Sequence, residues 1–460
     1  MKTPIYHFVK KARQLRATAA GFFHGAGKKR ALSGYNVKGN SGRLNEELDS
    51  SLETLRDRSR DLFENNPVAR ALINTIVSGV IGKGLTLVPN GGNEEYQETI
   101  VELWNVFTKE ADLRETRNLT QVSRTAFRNW MIDGEGVSLL PRVAGTGLFD
   151  LRVQNVDAVR LTPPSGARHN GILFDANGRP NQYFLKKNAK TREVTSYGAR
   201  NAAGDRNVLH WFHSEWSDQE RGKPLLSPVI SRLKSLWDYI LNEGDAAALT
   251  ACFTFLIPDD EDFMEPGDSS EREIKFEPGA WVNYVKDPSK IKEVAPTRPN
   301  SNFEQFVSAN LREIGAAVGV PFEVLLKAFS SSYSASRASL QVAWQFFDEL
   351  RCDFVSFWFQ PIFEAFLNEC VLKGFIEVED YQNPVVKATL CDVDFIGAAP
   401  LSIDPVKDAR AAKILNDLRI KTRDEISINL TGKPFRGKTA RFAKEELLIR
   451  EIEGELDAVT

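Results

Sequence analysis

The chain has 460 residues, 42% of them hydrophobic and 26% charged, with a formal net charge of −3. That length exceeds one ordinary core and calls for roughly two to four packed units, while the near-neutral balance excludes a molecule that clamps nucleic acid by its overall charge. No apolar run reaches the about 20 residues of a membrane span, and no compact apolar leader marks the chain for secretion.

Residues 1–45 form a basic, Gly-rich arm, with Lys10, Lys11, Arg13, Arg16, Lys28, Lys29, Arg30, Lys38 and Arg43 and no acid before Glu46. Such composition predicts a solvated arm, with contact to DNA or to an internal partner as the functional alternative. From about Glu46 the pattern is helical through Arg56 and Arg60 to Asn65-Asn66-Pro67. There Pro67 suits a first helical turn capped by Asn65 or Asn66. The second helix carries Val68, Leu72, Ile73 and Ile76 and ends near Gly82-Lys83-Gly84, before a strand at Leu85–Pro89. This helix-to-strand order and the missing GxxxxGK[ST] spacing exclude a phosphate loop.

Glu94–Phe107 reads as an amphipathic helix, and Thr120 as the cap of another that runs to Asp133-Gly134-Glu135. Short strands follow at Val137–Arg142, Phe149–Val153, Gly171–Phe174, Gln182–Leu185 and Val208–Phe212, separated by turns such as Asn177-Gly178-Arg179-Pro180. Residues 46–224 therefore read as an α+β platform. A helix over about 225–248 repeats Val229, Ile230, Leu233, Trp237, Ile240 and Leu241 near the helical period. Six prolines between Pro258 and Pro299 then forbid a long helix.

Helix returns at Phe303–Val318, breaks at Gly319-Val320-Pro321, and resumes after a Ser-rich loop as one long helix from Ser336 to Phe359. Pro361 predicts a kink before the helix continues to Leu372. Residues 404–460 read as helical and polar, basic from Lys407 to Arg441 and acidic from Glu445.

Cys252, Cys352, Cys370 and Cys391 show neither CxxC spacing nor paired histidines. They read as reduced thiols rather than as metal ligands or a disulfide framework. His210 and His213 lie at i and i+3, on opposite faces of a strand, so a shared metal is disfavoured and structural roles are expected. No nucleophile elbow, HExxH or P-loop occurs, which predicts no catalytic residues and no cofactor.

Six collinear pieces of the chain resemble the signature of the lambda-type portal proteins of tailed bacteriophages. They are Arg58–Leu87, Asp133-Gly134-Glu135, Gly171–Tyr183, Val208-Leu209-His210 with Gln219-Glu220-Arg221-Gly222-Lys223-Pro224, Gly319–Arg337, and Asp404-Pro405-Val406-Lys407-Asp408. The central loop departs slightly, reading Tyr333-Ser334-Ala335-Ser336-Arg337 where many relatives have Tyr-Ser-Ser-Ala-Arg.

The resemblance implies a mainly helical α+β subunit, built from wing, stem, clip and crown regions, in a ring of about twelve copies around a central channel. Residues 46–224 would be the wing, 225–250 and 303–320 the stem helices, and 251–302 the clip. Residues 321–336 would be the channel loop, 337–403 the long helix and its return to the wing, and 404–460 the crown and tail. On this reading Lys327, Ser330, Ser331, Ser332, Tyr333, Ser334 and Arg337 face DNA in the channel; the alternative is an ordinary flexible polar connector, with Arg337 paired to an acid such as Glu323 or Asp348. Lys407, Arg410, Lys413, Arg419, Lys421 and Arg423 would face DNA in the crown, although amphipathic helices also place many such residues in plain solvent.

Asp259, Asp260, Glu261 and Asp262 would dock the packaging motor; a solvated loop is the alternative. The implied partners are double-stranded DNA, the terminase large subunit, major capsid and scaffold proteins and head-completion proteins, in a virion and without a membrane. The rival readings are a metal-dependent DNA-processing enzyme of a packaging operon and a capsid adaptor that forms no ring.

Overall fold

A computed structural model describes residues 44–145, 147–164, 170–187, 193–201, 204–251, 255–256, 292–293, 302–329, 332–400 and 404–459. The chain divides into two units, Met1–Ser50 and Ser51–Thr460, and every described strand belongs to the second.

Helix α1 spans Leu44–Asn65 and α2 spans Pro67–Val80. Between them Asn66 caps α2, its side chain accepting from the Val68 and Ala69 amides, with Pro67 in the first turn. Strand β1 (Thr86–Pro89) leads to α3 (Glu94–Glu110), capped by Asn93, and then to α4 (Leu119–Asp133). The cap of α4 is Asn118 rather than the expected Thr120. The Asn118 side chain accepts from the Gln121 amide while the Gln121 side chain accepts from the Asn118 amide. This reciprocal box satisfies two orphan amides at once, so the helix starts one residue before Thr120.

Strands β2 (Glu135–Leu139) and β3 (Gln154–Val156) precede β4 (Ile172–Phe174), β5 (Pro180–Lys186), β6 (Val194–Gly198) and β7 (Val208–Phe212). They form two antiparallel three-stranded sheets, β3-β2-β7 and β4-β5-β6. The expected strands at 137–142 and 149–153 are shorter and shifted, leaving isolated bridges between Arg142 and Leu151 and between Asp112 and Val153. Side chains alternate along β2. Val137 and Leu139 join Val208, Ile172, Tyr183 and Leu185 in a small core shared by the two sheets. Ser138 turns the other way and accepts from the Trp358 indole at 3.1 Å.

Helix α5 (Ile230–Ala251) follows a short 3-10 turn, Ser227–Val229. Within 251–302 the described pairing joins β8 (Phe255–Leu256) to β9 (Lys292–Glu293), antiparallel. Helices α6 (Phe303–Val318) and α7 (Phe322–Leu326) then lead to α8 (Tyr333–Phe354). A π turn, Val355–Phe359, joins α8 to α9 (Gln360–Leu372). The Gln360 amide reaches back to the Val355 carbonyl, and this widened turn lies immediately before Pro361, where a missing N–H and the ring clash had predicted a kink.

The chain ends in α10 (Pro384–Leu390), β10 (Val393–Ile396), α11 (Pro405–Asp417), α12 (Arg423–Thr431) and α13 (Arg436–Val459). Strand β10 pairs antiparallel with β1, Leu87 opposite Phe395.

The main core lies where α8 and α9 cross α2, α3 and α4. Much of it is aromatic: Trp104, Phe107, Phe149, Phe363, Phe366 and Phe395 form a chain of ring contacts 5.1–6.3 Å apart. Such rings bury large areas in few rotamers and hold the helices in one register.

Candidate functional site

The Gly-Val-Pro break is built by backbone geometry. Gly319 ends α6 in the left-handed region, at φ +88°, and its amide caps the Gly315 carbonyl. Pro321 is the cap residue of α7, its carbonyl accepting from Val324 and Leu325. Lys327 ends α7, also left-handed at φ +55°, so five helical residues are closed off at both ends. Val320, Val324 and Leu325 are buried, whereas Leu326, Lys327, Ala328 and Phe329 are exposed. Ser330 and Ser331 lie outside the described residues.

Ser332 is exposed and caps α8, its hydroxyl accepting from the Ala335 amide at 3.4 Å. The helix therefore starts at Tyr333, three residues before the expected Ser336. Tyr333, Ser334 and Arg337 all belong to its first turns, and Ser334 is exposed. The result is an exposed, hydroxyl-bearing connection anchored on the α7 side by buried Val324 and Leu325. Its charges are sparse: Lys327 and Arg337.

Arg337 pairs with neither Glu323 nor Asp348. Its Nη2 donates to Asp408 Oδ1 at 3.0 Å, which ties the first turns of α8 to α11. Asp348 lies eleven residues along the same helix, about 16 Å away, beyond reach; it accepts instead from Arg351. Glu323 accepts from Ser339 Oγ at 3.3 Å. Two of the separate sequence pieces, Gly319–Arg337 and Asp404–Asp408, thus meet through one ion pair.

In the C-terminal helices Lys407 pairs with Asp404 at 3.2 Å. The Arg423 guanidinium lies 5.8 Å from the Phe435 ring centre. Arg410, Lys413 and Arg419 are exposed and Lys421 half-exposed. Arg419 adopts φ +57° just after α11, where the chain turns toward α12. The basic residues are spread over α11, the turn after it and the first residue of α12. Asp259, Asp260, Glu261 and Asp262 lie outside the described residues.

A buried charged cluster escaped the sequence reading. Glu135, fully buried, accepts from Arg221 through both oxygens (2.5–3.0 Å), from Arg56 Nη2 at 2.6 Å and from the Gly222 amide at 3.1 Å. His210 Nε2 stands 3.2 Å away. Next to it Arg60 grips Asp133 with two hydrogen bonds of 2.6 and 2.7 Å. Burial alone would push the Glu135 carboxyl up. The charges of Arg221 and Arg56, with hydrogen bonds from His210 and Arg221, outweigh it and hold the carboxyl well below the usual carboxylate range.

Gly134 allows this approach. It sits at φ +86°, and a Cβ there would lie 2.1 Å from the Lys223 carbonyl carbon. The Asp-Gly-Glu and Gln-Glu-Arg-Gly pieces, with His210 between them in sequence, therefore build one node. That node fixes the segment entering α5. The spacing of more than 80 residues between Glu135 and Arg221 gave no local signal for it.

Among the described residues no three His, Cys, Asp or Glu side chains gather as a metal site. No described helix is long and apolar enough to cross a membrane.

A family model described as phage portal protein, lambda family, matches residues 29–351, more than half of the chain. The chain is 21% identical over 419 residues to the portal protein of Escherichia phage N15 and 20% identical to portal protein B of Escherichia phage lambda. Each alignment covers 80% of this chain and 79% of the relative. Two solved structures share weaker likeness over 84% of this chain and 94% of theirs. The virion of a native gene transfer agent particle gives a TM-score of 0.48 at 12% identity, and the neck of the native particle with C12 symmetry gives 0.46 at 10%.

Proposed function

The chain belongs to the lambda family of phage portal proteins, and from that membership we propose that it works as one subunit of a homo-oligomeric ring in a virion, a conduit for double-stranded DNA at one capsid vertex. The family match over residues 29–351 carries this reading. A portal is a structural part rather than a catalyst, so the energy for DNA movement comes from a partner motor, the terminase large subunit.

A conduit must hold duplex DNA without gripping it. A wall rich in Lys and Arg would release counterions, bind tightly and stall movement. The connection between α7 and α8 meets that demand. It presents hydroxyls at Ser332 and Ser334 and one exposed cation at Lys327, while the charge of Arg337 is offset by Asp408. The proposal places this connection, Lys327 to Arg337 with Ser330, Ser331 and Tyr333, against the DNA. Buried Val324 and Leu325 keep it from folding away.

The charged node at Glu135 supports the same reading. It pins the segment entering α5, the proposed first stem helix, to the α+β platform. The acidic stretch Asp259–Asp262 is proposed as the face that meets the motor and later the head-completion proteins.

Deletion of Ser330–Ser334 tests the channel role. It removes the cap and first residues of α8, a loss of about 1 kcal/mol, which a 22-residue helix can bear. The expected result is normal ring assembly with less DNA packaged or retained. Normal packaging by the deleted protein would contradict the channel assignment.

A further inference from the structure

We propose that the acidic end of α13 docks on the basic, apolar face formed by α11 and the turn after it in a neighbouring copy of this chain, so that the C-terminal segments close a head-to-tail belt. This rests on the ring reading above and names a contact within that ring.

Charge is the first observation. Along α11 and the turn after it Arg410, Lys413 and Arg419 are exposed, with Asp417 the one exposed acid of residues 404–421, whereas residues 445–460 carry six acids against Arg450 alone, net −5. The acidic run begins inside α13, whose first half holds Arg436, Lys438, Arg441 and Lys444 and whose second half begins at Glu445 and Glu446. That order opposes the helix dipole, which favours acids at the N-terminus and bases at the C-terminus. The arrangement costs an isolated helix stability, and an outside partner of opposite charge offsets it.

Exposed apolar surface is the second. No residue of α11 is buried. Val406, Ile414, Leu418 and Ile420 are 58–64% exposed in and just after it, and Phe442, Leu447, Leu448 and Ile449 are 53–62% exposed on α13. Val406, Arg410 and Ile414 recur every four residues, so they share one stripe with a basic residue at its centre. Apolar residues concentrated in this way mark an interaction surface rather than scattered surface chemistry.

The partner is a second copy. Every residue from Arg441 to Glu451 is exposed, so this part of α13 does not pack on its own chain. Nor can the acidic half fold back on the basic half, because one 24-residue helix runs about 36 Å without reversing. In a cyclic ring each subunit offers two different patches, one to each neighbour. A segment with a basic apolar face at one end and an acidic apolar face at the other fits that requirement. Duplex DNA on the basic face would leave the acidic residues and the exposed leucines unexplained.

The test uses full-length rings and reads the NaCl concentration at which half dissociate, by mass photometry. One variant combines Glu445→Lys, Glu446→Lys and Glu451→Lys; a second combines Arg410→Glu, Lys413→Glu and Lys421→Glu; a third carries all six. Each triple should lower the dissociating salt by about twofold, and the sixfold variant should restore it. Truncation after Lys444 should lower it as much as the acidic triple does, without any new charge.

Unchanged salt tolerance in the acidic triple or the truncation would overturn the proposal, as would a sixfold variant no better than either triple. If the basic triple lost a linear duplex while the acidic triple kept normal rings, the basic face would be a DNA surface and the belt wrong. Wild-type protein that formed no rings would refute the ring reading and the belt with it.

Discussion

Glu135 sits out of reach of solvent and is held ionised by two guanidiniums. Because its folded value lies well below the unfolded one of about 4.3, its contribution to stability is complete above about pH 5 and is lost as pH falls through the folded value. Glu135→Gln leaves Arg56 and Arg221 buried without their shared counter-charge. Breaking a buried pair in this way costs about 3–5 kcal/mol, so the variant should melt well below wild type at pH 7 and lose less on acidification. Equal melting at pH 7 would contradict the role given to the node. By contrast, the Arg337–Asp408 pair is partly exposed, and a double-mutant cycle should give a coupling of about 1 kcal/mol or less. Its importance is in placement. The thiols offer a separate check: burial pushes Cys370 up to about 12 and Cys391 up to about 11, while Cys352 is exposed. Site-resolved alkylation at pH 8 should modify Cys352 and spare the other two until the protein unfolds. Rapid labelling of Cys370 would show that its packing is wrong.

At the scale of elements, the break between α6 and α7 depends on Gly319 more than on Pro321. The glycine occupies φ +88°, and a Cβ there would press on Phe346 at 3.1 Å. Gly319→Ala should therefore cost about 1–2 kcal/mol and shift α7. Pro321 contributes a carbonyl that any residue supplies, so Pro321→Ala should cost less, as read by chemical denaturation of both variants. A larger loss from the proline would reverse that assignment. The same contrast explains what the sequence made legible. Pro67 with Asn66, the period of Leu72, Ile73 and Ile76, and the short apolar run Val208–Phe212 between turns are local signals, and the structure follows them. Strand β6 was not expected, because its side chains are half to fully exposed and Thr195 and Ser196 offer no apolar alternation. The β1–β10 pair joins residues some 300 positions apart, where local pattern carries no information about the partner. The Glu135 node was visible as separate motifs and invisible as a constellation for the same reason.

Across the whole molecule, one aromatic core joins the long α8–α9 rod to the helices that precede the sheets, so the rod and the platform share one packed joint. Phe366, fully buried among Trp104, Phe107 and Phe149, is a keystone of that joint. The charged features sit outside it: an exposed connection with few cations between α7 and α8, and C-terminal helices whose charge reverses along their length. A packed joint with a lightly charged connection between α7 and α8 is what a subunit needs if it is to sit in a ring and let DNA slide past. Electron microscopy of the purified full-length protein, with its solution mass measured in parallel, tests that claim most directly. Closed rings of about twelve copies around a hole wide enough for duplex DNA are the expected result; a compact dimer that cleaves DNA when given a divalent metal would overturn the portal reading.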